Sequence, residues 1–450
     1  AFVRQAGGFE RRRQQDAPDR AALEARAQER GAAFRASGEF GAVRSVARDD
    51  RLAVHNVFGA VAHREATGVA ARGVDVLSNL LPGGESGVVG RLRHQLFSAK
   101  FSPDGSLFAA SCQDARIRLY DTATWRVTKT VAARHVSWAV LDSDYSPDQR
   151  WLAYCSWSQN VMLVNTRGAV ETHSEVDLRP PTRGRFCLFS LRFSPDSTEV
   201  VGGSCDAGVY LVDLLSDRRE RLEGHTDDVN AVCYMRDGRG QTIVSGSDDN
   251  VVRVWDKRSL ECVGSFTGHM AGITSVDSRD DFYLLSNSKD QSAKLWDLRK
   301  MGAAQPEQNA AAAHRFVPLD YRLGAAARDL LGRQLHDMDT SLVTYRGHQV
   351  LQTLCRAYFA PPSMEGCFVY GGSFDGSIKI WDTLTGDIVS SLDGHRSITR
   401  DVSWNPTAPQ LASVSWDGTT RVWNPKGRPV QTVENADEEQ MAESSSDQEE

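Results

Sequence analysis

The alternation of apolar and polar positions changes character near Val88. Beyond it, short runs rich in Val, Ile, Leu, Phe and Tyr alternate with Gly, Asp, Asn and Ser clusters, a pattern of short β-strands joined by tight turns. Before it, Leu52, Val54, Val57, Phe58 and Val61 predict a short amphipathic helix, and Leu80-Leu81-Pro82-Gly83-Gly84 predicts a turn. The run Asp19–Phe34 is rich in Ala, Arg, Gln and Glu but has no broad apolar face. Residues 1–35 are therefore expected to form a disordered or transiently helical arm, and 36–87 a short helical or loop segment too small for a core of its own.

Across the strand-rich region a single phrase recurs: strand, Ser-Pro-Asp or similar turn, strand, Ser-x-Asp turn, strand. Its copies close at Tyr120-Asp121, Val164-Asn165, Val212-Asp213, Trp255-Asp256, Trp296-Asp297, Trp381-Asp382 and Trp423-Asn424, at intervals of 44, 48, 43, 41, 85 and 42 residues. The interval of 85 is one period plus an insertion between Lys300 and Thr344, which holds Ala310–Ala313 and few strand formers. A degenerate eighth blade is the alternative there, but no paired strands can be drawn. Seven such copies, none able to bury both its faces alone, predict an all-β fold: a seven-bladed WD40 β-propeller over 88–433. Val88–Leu92 is the preferred strand to close the ring from the N-terminal side. Pro429–Val433 is the competing candidate, weakened by Pro425 and Pro429.

Four copies carry a fuller pattern, from Gly-His to Trp, with an Asp six residues before the Trp. They supply His225, Asp249 and Trp255; His269, Asp290 and Trp296; His348, Asp375 and Trp381; and His395, Asp417 and Trp423. In this repeat family His, Asp, a Ser or Thr, and Trp hydrogen-bond in series within a blade. Because these residues recur once per repeat, they read as structural tetrads rather than as catalytic or metal sites.

Composition narrows the function. The 450 residues carry a net charge of −7, and the eight acids between Glu434 and Glu450, with no Lys or Arg among them, exceed that whole imbalance. The body is nearly neutral and gives no case for nucleic-acid binding; residues 434–450 read as an acidic disordered tail. No run of about 18 apolar residues suggests a membrane span. Arg11, Arg12 and Arg13 precede no apolar core, so no secretory signal is expected; they read as belonging to a solvated tail, with a nuclear-localisation patch the lesser reading. None of the eight cysteines forms CxxC or lies beside a His at zinc-ligand spacing, so no metal or other cofactor is expected. Buried, reduced thiols suit nucleus and cytoplasm. No GxSxG, GxxxxGK[ST] or HExxH occurs, and Gly202-Gly203-Ser204 and Gly371-Gly372-Ser373 lie on strands before turns, not before helices. No enzyme is expected. A propeller of this kind acts as a rigid platform whose loops bind proteins.

Two consecutive copies extend Trp-Asp to Trp-Asp-x-Arg: Asp256 with Arg258, and Asp297 with Arg299. Here the chain resembles the receptor subunits of cullin-4 ubiquitin ligases. Gly224–Val229, Leu285–Gln291, Lys294–Arg299, Thr344–His348, Asp401–Pro406 and Ser415–Gly418 resemble one branch, the cullin-4-associated factor 11 (WD-repeat protein 23) family with its plant LEC14B-like counterparts. The likeness is good over Gly224–Trp423, looser over Val88–Asp213, where Tyr120, Val164 and Val212 replace the blade Trp, and absent at both ends. Leu319 departs from the aromatic that relatives tend to carry before Asp-Tyr-Arg. The resemblance implies a non-catalytic substrate receptor. Asp256, Arg258, Asp297 and Arg299 would dock the adaptor propeller, the damaged-DNA-binding protein's large subunit, helped by helices in 50–82. Another face would present a protein substrate that the sequence does not name. The alternative is a WD40 scaffold of another nuclear or cytoplasmic complex. Ser444 and Ser446, each three residues before an acid, are candidate sites for an acid-directed kinase, or elements of a solubilising tail.

Overall fold

The computed structural model describes residues 81–168, 170–178, 186–236, 240–304, 336–364 and 367–425, with the helical positions Ala25 and Gln28. The predicted helix of Leu52–Val61, the interior of the insertion, Pro429–Val433 and the tail with Ser444 and Ser446 lie outside the described residues. Among those described, the strands form seven four-stranded antiparallel sheets. Six of them, blades 1–6, are sequential meanders. Their first strands are Leu96–Phe101, Asp142–Tyr145, Leu188–Phe193, Val229–Tyr234, Ile273–Arg279 and Ala357–Phe359; blade 7 opens with Thr399–Trp404. These first strands pack against one another around the ring and line its axis.

Blade 7 takes its outer strand from the other end of the chain. Pro82–Arg91 pairs antiparallel with Thr419–Pro425, so the N-terminal side closes the ring. The closing strand is longer than the sequence marks. Pro82-Gly83-Gly84, expected as a turn, lies inside it, opposite Pro425, with an irregular register between Pro82 and Ser86. An edge strand tolerates Pro and Gly because one side of its backbone needs no ladder partner. Val89 then packs with Ala412, Val414 and Val422 of its own sheet against Ala99, Phe108 and Tyr120 of blade 1.

The same logic holds between the other blades. Ala231, Val244, Val252, Val254 and Phe266 of blade 4 pack on Ile273, Val276, Leu284 and Trp296 of blade 5. Strands buried on both faces explain the near-continuous apolar runs in the sequence. The Ser-Pro-Asp turns are built alike: Ser102, Ser146 and Ser194 each donate to Asp104, Asp148 and Asp196, and those carboxylates also accept the amides of Ser106, Arg150 and Thr198. The insertion falls between the third strand of blade 5 and its outer strand, Val343–Tyr345. Its first residues run along blade 4: Gly302 donates its amide to Ser265 O at 2.8 Å, and Arg253 Nη1 donates to Ala304 O at 2.8 Å.

A charge network ties opposite sides of the ring across the axis. Asp142 of blade 2 is fully buried and accepts from Arg356, which precedes the first strand of blade 6, at 2.5 Å and from Arg192 of blade 3 at 2.7 Å. Arg356 also reaches Asp401 of blade 7 at 3.4 Å, and Asp401 accepts from Tyr358 Oη at 2.9 Å and the amide of Ala99 at 3.0 Å. Burial alone would push the Asp142 carboxyl up, but Arg192, Arg356 and Lys100 hold it far below the usual carboxylate range. Burial and Arg192 push Lys100 down to about 8. Removing one partner of such a network strands the others. Asp142→Asn is expected to cost about 3–5 kcal/mol in urea denaturation. Adding Arg356→Met should recover some of that loss, because a stranded cation is removed; a cost under about 1 kcal/mol for the single variant would contradict this account.

Candidate functional site

The tetrads set the stiffness of the platform. In blade 4, Trp255 Nε1 donates to Ser245 Oγ at 2.8 Å, Ser245 Oγ lies 2.7 Å from His225 Nε2, and His225 Nδ1 lies 2.8 Å from Asp249 Oδ2. One tautomer satisfies the whole series: Ser245 donates to Nε2, and Nδ1–H donates to the carboxylate. Blade 5 repeats it with Trp296, Ser286, His269 and Asp290 at 2.7, 2.7 and 2.9 Å. Blade 7 repeats it with Trp423, Ser413 and His395 at 2.9 and 2.7 Å; His395 Nδ1 is shared between Asp417 at 3.3 Å and Thr419 at 3.0 Å. Burial opposes ionisation of Asp249 and Asp290, but the histidines beside them keep both carboxyls below the usual range. The linking serines each stand ten residues before their Trp, a spacing legible in the sequence.

Blade 6 departs from the expected series. The position of the linking serine is Gly371, where a Cβ would meet Arg356 O and Ala357 Cβ, both at 3.0 Å. With no hydroxyl to join them, Trp381 Nε1 donates instead to Arg346 O at 2.8 Å. His348 turns to blade 5 and places Nε2 2.7 Å from Asn287 Oδ1, while its buried Nδ1 has no hydrogen-bond partner among the described residues. Asp375 binds Ser377 rather than His348. The expected tetrad of His348, Asp375 and Trp381 is thus replaced by an inter-blade bond. Blades 1 and 3 use the same Asp position, six residues before Tyr120 and Val212, in other ways. Asp114 pairs with Arg118 at 2.8 Å, and Asp206 accepts from Tyr210 Oη at 2.6 Å.

The four rim residues follow the third strands of blades 4 and 5. Third strands of neighbouring blades run the same way, so both pairs lie on one rim; Lys257 N to Gln241 O and Leu298 N to Phe282 O are equivalent bonds of 2.8 Å. Arg258 is exposed, its side chain at 76%, with Nη2 3.3 Å from Asp256 Oδ2. Arg258 draws the Asp256 carboxyl below the usual range. Arg299 is 44% exposed and clamped. Its Nε and Nη2 reach the two oxygens of buried Asp297 at 2.8 and 3.1 Å, and its guanidinium lies 4.8 Å from the ring centre of exposed Phe282. The rim therefore offers two cations, one of them against an exposed aromatic ring. No cluster of three or more His, Cys, Asp or Glu able to hold a metal occurs among the described residues.

Comparison with known proteins agrees with the propeller fold. The family model for the WD domain, G-beta repeat, matches residues 88–121, 217–256, 260–297, 339–382 and 386–424. The LEC14B protein of Lithospermum erythrorhizon is 39% identical over 381 residues, 79% of each chain. The chain belongs to the LEC14B and cullin-4-associated factor 11 family of WD-repeat proteins. Within this family, the LEC14B homolog of Prunus armeniaca is 38% identical over 81% of this chain and 80% of its own. The DDB1- and CUL4-associated factor 11 homolog of Caenorhabditis elegans is 34% identical over 77% of this chain and 64% of its own. The family model has no match between 122 and 216, where blades 2 and 3 nonetheless form complete sheets.

The blade 6 departure makes stability depend on pH. Burial pushes His348 down to about 4, against the pull of Asp290 and Asp375. Between that value and about 6.5 for the unfolded chain, the folded state binds fewer protons, so stability is full above the upper limit and falls as pH drops towards the lower. The loss attributable to His348 is roughly 3 kcal/mol. In thermal unfolding between pH 7 and 5, His348→Gln should show a smaller fall in Tm than the unsubstituted chain; equal falls would place the titration elsewhere.

Proposed function

We propose that this chain is the non-catalytic substrate-recognition subunit of a cullin-4-type ubiquitin ligase, in nucleus and cytoplasm. One observation carries the reading: Arg258 and Arg299 share a rim, accessible and carboxylate-paired, in a family whose nematode members are named for association with DDB1 and CUL4. The adaptor would engage this rim by exchanging its own carboxylates for Asp256 and Asp297, with Phe282 as an apolar contact. A planar guanidinium makes that exchange without loss of bidentate geometry. The ring does no bond chemistry on this reading. It raises the effective concentration of a target's lysines near the charged ubiquitin carrier. The eight free thiols, five of them buried, accord with a reducing compartment.

A scaffold of another complex is the second reading, and the clamping of Arg299 by Asp297 favours it. Binding of the purified chain to the adaptor propeller separates them. Replacing both arginines, Arg258→Ala with Arg299→Ala, should cost about 2 kcal/mol or more, roughly 30-fold in Kd. Absence of binding by the unsubstituted chain would leave the scaffold reading.

A further inference from the structure

The opposite rim, where first strands begin and second strands turn into third strands, has a different chemistry. At the start of the first strand the register slips by one residue in blades 1, 3, 4, 5 and 7, and the bulged residues are Phe97, Phe189, Asn230, Thr274 and Arg400. In blades 4 and 5 this residue binds the next blade: Asn230 Nδ2 donates to Ile273 O at 2.9 Å, and Thr274 Oγ1 to Cys355 O at 2.8 Å. In blade 7 it is Arg400, 2% exposed, with no ion pair among the described residues and with Nε and Nη1 lacking any acceptor. The carboxylate next to it, Asp401, is already taken by Arg356, Tyr358 and Ala99. Burial and the like charge of Arg356 draw Arg400 down to about 10 against the pull of Asp401 and Asp142, which leaves it cationic at neutral pH.

Aromatic side chains lie on the same rim. The nearest by backbone pairing is Trp416, whose amide donates to Ile398 O at 3.0 Å, two residues before Arg400. Trp416, in the tight turn of the same blade, packs, as Phe374 does, against the cluster of Val350, Cys355 and Ile398, and its Nε1 is also buried without an acceptor. Its ring lies 5.9 Å from Phe97, Phe97 meets Trp138 edge-on at 5.1 Å, and Trp138 lies 5.4 Å from Trp157. Trp138 and Trp157 are 41% and 44% exposed. The result is a file of aromatic rings, exposed at Trp138 and Trp157, leading towards a buried cation that makes no ion pair among the described residues and feels Asp401 and Asp142 only at longer range. An unpaired buried charge is costly, and an incoming carboxylate relieves that cost.

We propose that this rim of blades 7, 1 and 2 binds a peptide segment of a target protein, laying an aromatic or large aliphatic side chain on Trp138 and Trp157 and an acidic side chain on Arg400. The proposal rests on the receptor reading for its biological role, but not for the binding itself. The probe is a set of fluorescein-labelled peptides, capped at both ends, with one Glu fixed and Trp, Leu or Gly scanned through its flanking positions, each beside its Gln counterpart. They are titrated by polarisation against the full chain.

A Glu–aromatic or Glu–leucine peptide should bind at least about tenfold more tightly than its Gln and Gly counterparts, and Arg400→Met and Trp157→Ala should each lose about tenfold. Ligand-free Arg400→Met should melt at the same temperature as the unsubstituted chain or higher. The proposal is overturned if no peptide shows dependence on Glu, as when channel water alone satisfies Arg400. It is also overturned if Arg400→Met melts lower, which makes the arginine structural, or if binding appears only after residues 434–450 are removed, which makes the chain's own acidic tail the occupant. Adaptor binding is read in parallel. Peptide binding without adaptor binding sinks the receptor reading and leaves this site standing.

Discussion

Each four-stranded blade presents two apolar faces and can cover neither from within its own sheet. Every face must therefore be buried by a neighbour, and the last neighbour must be the first blade. The pairing of Pro82–Arg91 with Thr419–Pro425 meets that requirement by joining the two ends of the ring through a ladder of backbone hydrogen bonds. Val89 then contributes directly to the seam between blades 7 and 1. The cross-axis bond from Arg356 to Asp142 acts in the same sense at the centre, where neighbouring faces alone leave the first strands lining a polar channel.

Closure in this form makes the loops a consequence of a stiff frame. The tetrads of blades 4, 5 and 7 hold the turn before the third strand against the loop before the first, so the two sets of turns at that rim move together. The rims then diverge in chemistry. One carries exposed Phe282 with Arg258 and Arg299, each arginine accessible and paired with the carboxylate two residues before it. The other carries exposed Trp138 and Trp157 and, buried at the start of blade 7's first strand, an arginine with no ion pair among the described residues.

Blade 6 shows how one residue redirects a network. Gly371 leaves room for the close approach of Ala357, and the hydroxyl that would link Trp381 to His348 is lost with it. His348 then joins blade 6 to blade 5 through Asn287, whose Nδ2 donates to Cys355 O at 3.0 Å. A bond within a blade becomes a bond between blades. Because the new arrangement leaves Nδ1 unpartnered in a buried place, the imidazole is held neutral.

The period of the repeats, the place of the insertion and the Gly-His, Asp and Trp positions are local facts, and the sequence alone determined the propeller, its number of blades and three of the four complete tetrads it suggested. Even the failure in blade 6 was legible, since Gly371 stands where the other blades have Ser ten residues before Trp. The tertiary structure decided what depends on residues far apart in the chain. Asp142 and Arg356 are 214 positions apart and Pro82 lies opposite Pro425, so neither the channel network nor the extended closing strand has a signature in any single repeat. Arg400 and the aromatic shelf are of the same kind. A bulged first-strand position reads as one more strand residue, and only closing the ring shows that this cation makes no ion pair among the described residues, its nearby carboxylates being held by other groups, while its counterparts in blades 4 and 5 bind the next blade.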